Sequence, residues 1–228
     1  MGTLRIISSM ATRLVLNELA ESFQQKTGAL VSIESVGGVD VARRVQAGET
    51  FDVVILASDA LDNLIVSGRV IRGSKVNLVR SGVAVIVRKD ALVPDISSED
   101  ALRKAILSSK SISYSTGPSG VALATLFERW GIAEAIQDRI VKPAPGTPVG
   151  MIVASGQAEL GFQQLSEVLH VEGIAILGAM PPAVQIVTTF AGGVCTSSTA
   201  PDSAKAFLDF LASTSATEAK LRQGMEPA

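Results

Sequence analysis

The chain has 228 residues, which is one large domain or two small lobes. Hydrophobic residues make up 47% and charged residues 18%, so a disordered chain is excluded. The net charge of -2, without a basic block, argues against nucleic acid as a partner. One cysteine rules out an internal disulfide, and one histidine argues against a zinc site or a triad that needs two histidines. We expect neither a metal nor a cofactor.

Two features bear on the location of the chain. No apolar run is long enough to span a membrane. No signal-peptide pattern precedes the first strand-like run, which begins at Thr3. The sequence as written therefore favours the cytoplasm, and the periplasm is expected if a leader has been removed from it.

The first part of the chain alternates between strand and helix patterns, and glycines follow the helices. In order these segments are "TLRIIS", "TRLVLNELAESFQQKTG", "LVSIESV", "DVARRVQAG", "FDVVILAS" and "DALDNLIVSG". The run "FDVVILAS" is apolar at its centre, as in a parallel strand buried on both faces. This β-α-β-α-β-α order predicts a doubly wound α/β sheet.

A second alternating set follows without a Gly/Ser linker. Its segments are the strand "GVAVIVRK", the helix "SEDALRKAIL", the strand "SISYS", the helix "GVALATLFERWG", the helical "VGMIVASG", the strands "ELGFQQ", "IAILG" and "IVTTFAGGVC", and the closing helices "APDSAKAFLDFLAST" and "SATEAKLRQG". We expect an α/β fold of two doubly wound lobes. The first holds residues 1–84 and 187–228, and the second holds residues 85–186.

Four strand-to-helix junctions share small residues, hydroxyls or glycines: "SSMATR" at 8–13, "VGGVD" at 36–40, "ASDA" at 57–60 and "STGPSG" at 115–120. Ligands of open α/β sheets bind beyond the carboxyl ends of the strands. Unpaired amides and the helix dipole make an anion site there. The competing interpretation is that these hydroxyls are ordinary N-caps. The candidate ligand-binding residues are Ser8, Ser9, Arg13, Gly37, Gly38, Ser58, Ser115, Thr116, Ser119, Gly120 and Gln164.

Arg13 is the candidate whose position is hardest to explain by helix stability alone. It lies in the first turn of a predicted helix, where the dipole disfavours a cation. Two explanations for this position are equally good: Arg13 pairs with a carboxylate of a bound ligand, or it is a solvated surface residue. His170 is interpreted as a cap or surface residue, and Cys195 as core. Arg43 and Arg44 are interpreted as surface residues.

The chain resembles the type II periplasmic solute-binding proteins, and within them the molybdate-binding group. The resemblance rests on the blocks "LNELAESFQQKTGALVSIESVGG", "AGETFDVVILASDALDNLIVSGRV", "ASGQAELGFQQLSEV" and "AKAFLDFLASTSATEAKLRQGM". It implies two α/β lobes joined by two crossing strands, with a small anion held in the cleft. It also implies a membrane component of an ABC transporter as a partner.

The chain departs from the molybdate pattern at three positions. Ala11 and Gly38 stand where the family carries serines, and Gln164 stands where it carries a cleft tyrosine. Fewer hydroxyls would then be available to donate hydrogen bonds to a dehydrated tetrahedral anion. Arg13, Gln163 and Gln164 suit a larger ligand with carboxylates, because a guanidinium and amides can grip two ends of it.

Some proteins similar to this group are aconitate isomerases, which shift a double bond in a tricarboxylate. The alternative function is therefore a cytoplasmic isomerase of di- or tricarboxylates. Such an enzyme needs a base and a grip on carboxylates. The sequence does not identify the base. Glu167, Asp59 and Asp40 are the nearby carboxylates, and each has an N-cap or surface explanation.

Overall fold

The computed structural model describes residues 2–144 and 146–228. The chain divides into two compact units. Unit 1 comprises Met1–Ser81 and Thr188–Ala228, and unit 2 comprises Gly82–Val187. Each unit is built around its own sheet and is described separately.

Unit 1 alternates strands and helices as the sequence predicts. Its elements are β1 (Leu4–Ser9), α1 (Arg13–Thr27), β2 (Val31–Val36), α2 (Gly38–Gln46), β3 (Val53–Ala57), α3 (Ser58–Val66), the first part of β4 (Val76–Arg88), β8 (Val187–Val194), α9 (Pro201–Ala212), α10 (Thr217–Arg222) and β9 (Glu226–Pro227). The strand order is β2-β1-β3-β8-β4, and β9 pairs with β4. Strands β2, β1 and β3 are parallel, so their carboxyl ends lie at one edge of the sheet.

Both faces of this sheet are covered by helices. Ile6 of β1 packs into a cluster with Leu16 of α1 and Phe207 of α9. Ile7, the next residue, packs on the opposite face with Val41 of α2 and Leu61 of α3. Successive strand residues point to opposite faces, and here both faces are apolar, as expected of a buried parallel sheet.

Unit 2 repeats this layered arrangement on a smaller sheet. Its elements are the second part of β4, α4 (Glu99–Ser108), β5 (Ile112–Tyr114), α5 (Pro118–Arg129), α6 (Ala133–Ile136), α7 (Val149–Ala154), β6 (Leu160–Gln164), α8 (Leu165–Val168) and β7 (Ile174–Ala179). Strand β6 lies between β5, to which it is parallel, and β4, to which it is antiparallel. Strand β7 pairs with β4.

Helices of unit 2 also pack on both faces of its sheet. Phe162 of β6 contacts the cluster that contains Leu123 and Phe127 of α5. Ile86 of β4 lies in the other cluster, with Val153 of α7 and Val168 of α8. The two faces therefore carry different helices, α5 on one and α7 with α8 on the other.

The predicted α/β fold is confirmed, with differences in the extent of some elements. The strand expected at residues 82–89 begins at Val76, six residues earlier. Asn77 and Arg80 are exposed in this first part, so the apolar run that marks a strand buried on both faces is missing there. The single-turn helix Ala133–Ile136 was not predicted, because four residues are too few to show helical periodicity.

Among the described residues, no helix combines the length and the hydropathy needed to cross a membrane.

Candidate functional site

The first junction of unit 1 is a tight turn between β1 and α1. Ser8 is fully buried, and its hydroxyl oxygen lies 2.8 Å from that of Ser35, its register partner on β2. The short 3-10 turn Met10–Thr12 follows Ser9, and the Thr12 hydroxyl donates to the Ser9 carbonyl at 2.9 Å. The hydroxyls of Ser8 and Thr12 are thus used within the fold, which leaves Ser9 as the serine nearest to the end of the strand.

The structure brings the second junction beside the first. A Cβ placed on Gly38 would lie 3.7 Å from the Ser9 hydroxyl oxygen, so the backbone of Gly38 is close to that side chain. Gly37 is exposed and precedes α2. Ser58, which follows β3, is half-buried and is the first residue of α3. Since β1, β2 and β3 are parallel, these positions follow the same edge of the sheet.

The N-cap interpretation of the junction hydroxyls is wrong for this fold. In the described chain, the N-cap residues before α1, α2, α3 and α5 form no side-chain capping bond. Ser98, which lies outside the four junctions, does cap its helix, accepting from the Ala101 amide at 3.2 Å. The first-turn amides of the junction helices are therefore not satisfied by capping side chains.

The four junctions differ in charge. The first turns of α2 and α3 contain Asp40 and Asp59, whose carboxylates already complement the helix dipoles. The first turns of α1 and α5 contain no acidic residue. An anion would thus be repelled least at the N-termini of α1 and α5, which are also the longest of the four helices.

Two cations belong to the region around α1. Arg13, the first residue of α1, is exposed. Lys220 of α10 is only 2% exposed and lines a small apolar cavity together with Thr12. Burial lowers the pKa of Lys220. Neither cation lies within 4.0 Å of a carboxylate of the described residues. No sequence pattern indicates a buried Lys220, because "EAKLRQG" is typical of an exposed helix end.

The loop at residues 115–120 in unit 2 folds back on itself. The hydroxyl oxygens of Ser115 and Ser119 are 3.0 Å apart and share a hydrogen bond. A Cβ on Gly120 would lie 1.6 Å from the Ser115 carbonyl oxygen, so only glycine fits there. The Gly117 carbonyl accepts from the Gly120 and Val121 amides and starts α5. Thr116 is exposed at the tip of this loop.

Gln164 belongs to the same face of the unit 2 sheet as α5. It follows Phe162 by two residues on β6 and is 3% exposed. Because β5 and β6 are parallel with Tyr114 opposite Phe162, Ser115 and Gln164 both follow the carboxyl edge of this sheet. Ser115, Ser119, Gly120 and Gln164 are therefore candidates for one ligand surface within unit 2.

Gln163 points to the other face and is engaged within the unit. Its side-chain oxygen accepts from the Gly150 amide at the start of α7 at 3.2 Å. The expectation that Gln163 grips a ligand together with Gln164 is thus not supported, because the two amides lie on opposite faces and Gln163 is already bonded.

Glu167 differs from the other two candidate carboxylates. Asp40 is exposed and pairs with Arg43 at 3.0 Å, and Asp59 is exposed. Glu167 is half-buried, and burial raises its pKa to about 7, although the hydrogen bond with Gln163 opposes this shift. A carboxyl group of this kind can accept and return a proton near neutral pH.

Two buried hydroxyls have no hydrogen-bond partner among the described residues. They are Ser166, in the first turn of α8, and Ser81, in β4. Buried hydroxyls normally form hydrogen bonds, so a ligand or a water molecule is the expected partner of each. Ser166 was not among the predicted site residues; its position just after "FQQ" at a strand end was the available signal.

The remaining residues of interest have structural roles. Arg44 is held by Glu34 and Glu49, and Arg80 pairs with Glu226 at 3.1 Å. Cys195 is buried, as predicted, and burial raises the pKa of its thiol to about 12. His170 is exposed after the end of α8.

The fold is that of a class of solute-binding proteins. A model of the bacterial extracellular solute-binding protein family matches residues 4–226, and the chain belongs to this family. The predicted type II periplasmic binding-protein fold is confirmed.

The chain is similar both to an enzyme and to binding proteins. Aconitate isomerase of a Pseudomonas species is 36% identical over 231 residues, which is 99% of this chain and 88% of that protein. The molybdate-binding protein ModA of Azotobacter vinelandii is 28% identical over 157 residues, which is 67% of this chain and 61% of that protein. The structure of a periplasmic molybdate-binding protein from Azotobacter vinelandii superposes with a TM-score of 0.81 at 22% identity, covering 97% of this chain and 98% of that one.

Because the Ser115 carbonyl lies so close to Gly120, adding a single methyl group at Gly120 should lower the stability of the protein. Gly120→Ala must push Ser115 away, and we expect it to destabilise the protein by about 1–3 kcal/mol. Gly117→Ala is the matched control: its Cβ would come no closer than 3.9 Å to another side chain, so we expect a change within about 0.5 kcal/mol. Urea denaturation measures both. Equal midpoints for the two variants would contradict the described loop.

The raised pKa of Glu167 predicts a pH-dependent contribution to stability. The folded state holds this proton up to about pH 7, whereas the unfolded chain releases it near the ordinary value of 4.5. The contribution of Glu167 therefore becomes less favourable as pH rises from 4.5 to 7, by at most about 3 kcal/mol. Glu167→Gln has no carboxyl group to titrate at this position. Its free energy of unfolding should therefore rise relative to that of the natural protein over this pH range. A difference that is constant with pH would refute the shift.

Proposed function

We propose that this protein binds a small anion that carries carboxylate groups, and that each unit, taken by itself, offers one helix N-terminus suited to an anion, that of α1 in unit 1 and that of α5 in unit 2. The observation that carries the proposal is the state of these two helix ends. Both lack a capping side chain and an acid in the first turn, and both follow the carboxyl ends of strands. Their amides are suited to the oxygen atoms of an anion.

The charge distribution supports a carboxylate rather than a bare tetrahedral oxyanion. Arg13 is a planar, bidentate donor with no carboxylate of the described chain beside it, which suits a ligand carboxylate. Few hydroxyls surround the first junction, since Ala11 and Gly38 carry none and Ser8 is bonded to Ser35. A dehydrated oxyanion needs many such donors to replace its hydration shell.

As a receptor, the protein would deliver this anion to the membrane component of an ABC transporter. The extracellular solute-binding family and the molybdate-binding relatives support this role. A periplasmic location belongs to the receptor role, and a cytoplasmic one to the enzyme described below.

A ligand screen tests the anion class. We expect di- and tricarboxylates to raise the melting temperature more than molybdate, tungstate or sulfate do. A ligand present at about 100 times its Kd should add about 2.7 kcal/mol of stability. Arg13→Ala should abolish the carboxylate response, whereas Arg43→Ala, which removes an exposed arginine already paired with Asp40, should keep it. A large shift with molybdate or tungstate alone would contradict the carboxylate proposal.

A second candidate is an isomerase of unsaturated tricarboxylates. It is favoured by the 36% identity to aconitate isomerase, which extends over 99% of the chain. The chemistry requires a carboxylate grip and a group that moves a proton between two carbons. Binding alone does not separate this candidate from the receptor, because both hold the same anion.

Isotope exchange separates the two candidates. If the protein is an isomerase, cis-aconitate incubated with it in deuterated water should convert to trans-aconitate and gain deuterium at carbon. The rate should fall in Arg13→Ala and persist in Arg43→Ala. NMR and mass spectrometry follow both isomers and the label. Tight binding without conversion or label over hours would leave the receptor as the function.

A further inference from the structure

We propose that unit 2 contains a second ligand site, a groove beside the start of β6 that binds a small anion with an apolar body. The groove has a volume of about 830 Å³ and lies between the end of β4, helix α4 and the turn before β6. Val87 pairs with Leu160 at this end of the sheet. Gln164, at the carboxyl end of β6, is about 13 Å away along the strand. The groove is therefore separate from the candidate surface at the start of α5.

The floor of the groove is apolar and is formed by buried residues from three parts of the unit. They are Val87, Ala105, Ala158 and Leu160. Helix α4 places Leu102 and Ile106 in the core cluster, and it lines the groove with the small side chains of Ala101 and Ala105. These small side chains leave the space open. A cavity of roughly 300–1,000 Å³ with an apolar lining is typical of sites for small organic molecules.

The apolar lining continues to the rim of the groove through Leu92. This residue lines the groove together with Ala91 and Pro94, yet its own side chain is 96% exposed. Leu92 thus gains almost nothing from the fold by burial. An apolar chain lying in the groove would remove this surface from water, which favours binding. The shape and lining therefore indicate a ligand with an apolar body.

Two cations in the groove indicate the charge of the ligand. Arg88 and Lys104 both line it and are exposed to solvent. Neither lies within 4.0 Å of a carboxylate in the described part of the chain. A Cβ on Gly156 would lie 3.4 Å from a terminal nitrogen of Arg88, so the guanidinium lies beside the turn before β6. A carboxylate in the groove would supply the partner that both cations lack.

The acidic residues of the groove, in contrast, already have partners in the fold. Asp95 accepts a hydrogen bond from the Ser97 amide at 2.9 Å, and Glu159 accepts one from the Lys110 amide at 2.7 Å. Asp100 lies in the first turn of α4, where its charge complements the helix dipole. The groups left to bind a ligand are therefore positive, and the structure favours an anionic head group over a cationic one.

Calorimetric titration of the full chain with decanoate tests the site, because decanoate combines one carboxylate with an apolar chain. We expect decanoate to bind, and decylamine, with the same chain and the opposite charge, to bind at least about tenfold more weakly. Arg88→Ala and Lys104→Ala should each weaken decanoate binding by at least about threefold. Arg103→Ala is the matched control: it removes the exposed cation next to Lys104, which does not line the groove, and should leave the affinity unchanged.

Several results would overturn the assignment. They are an absence of binding heat with decanoate, equal affinity for decylamine, and unchanged affinity in the double variant of Arg88 and Lys104. Loss of decanoate binding in Arg13→Ala would place the ligand in unit 1 and would also be decisive against the groove. Leu92→Ser should lower the affinity at least about threefold through lost apolar contact, with an unchanged melting temperature of the free protein. The groove goes beyond the proposed function, so a failed decanoate titration leaves the tricarboxylate screen unaffected, and the reverse also holds.

Discussion

Parallel strands end together, and this constraint decides where the chemistry of both units is placed. In unit 1 the parallel strands β2, β1 and β3 bring three loop regions to one edge of the sheet. In unit 2 the pair β5 and β6 does the same for the loop at residues 115–120 and for the start of α8. Backbone amides emerge at these edges from a buried apolar layer, so they need partners that the sheet itself does not supply.

The helices that begin at these sheet edges differ in the charge of their first turns. Helices α2 and α3 begin with aspartates in their first turns, so those ends are already neutralised. Helices α1 and α5 begin without them. The buried Lys220 adds positive charge near the start of α1, where water does not screen it fully. Unit 1 thus concentrates its attraction for anions at one junction rather than along the whole edge.

Most of the fold could be predicted from the sequence, because it follows from local patterns. Alternating apolar runs and glycine stops located the parallel strands and the helices after them. The site was predictable only in outline, since junction composition shows which loops lack large side chains. It did not show that Ser8 would bond to Ser35, that Gly120 would touch the Ser115 carbonyl, or that Gly150 would orient Gln163. These contacts join residues distant in sequence or depend on the exact path of a loop, and no periodicity encodes them.

The uncapped starts of α1 and α5 have a consequence for the life of the protein in a cell. A capping side chain is worth roughly 1 kcal/mol, so helices without one are more prone to open locally at their first turn. Proteases cut chains through such openings. A molecule with an anion at either helix end would be degraded more slowly than an empty one. The abundance of the protein would then follow the supply of its ligand, without any change in its synthesis.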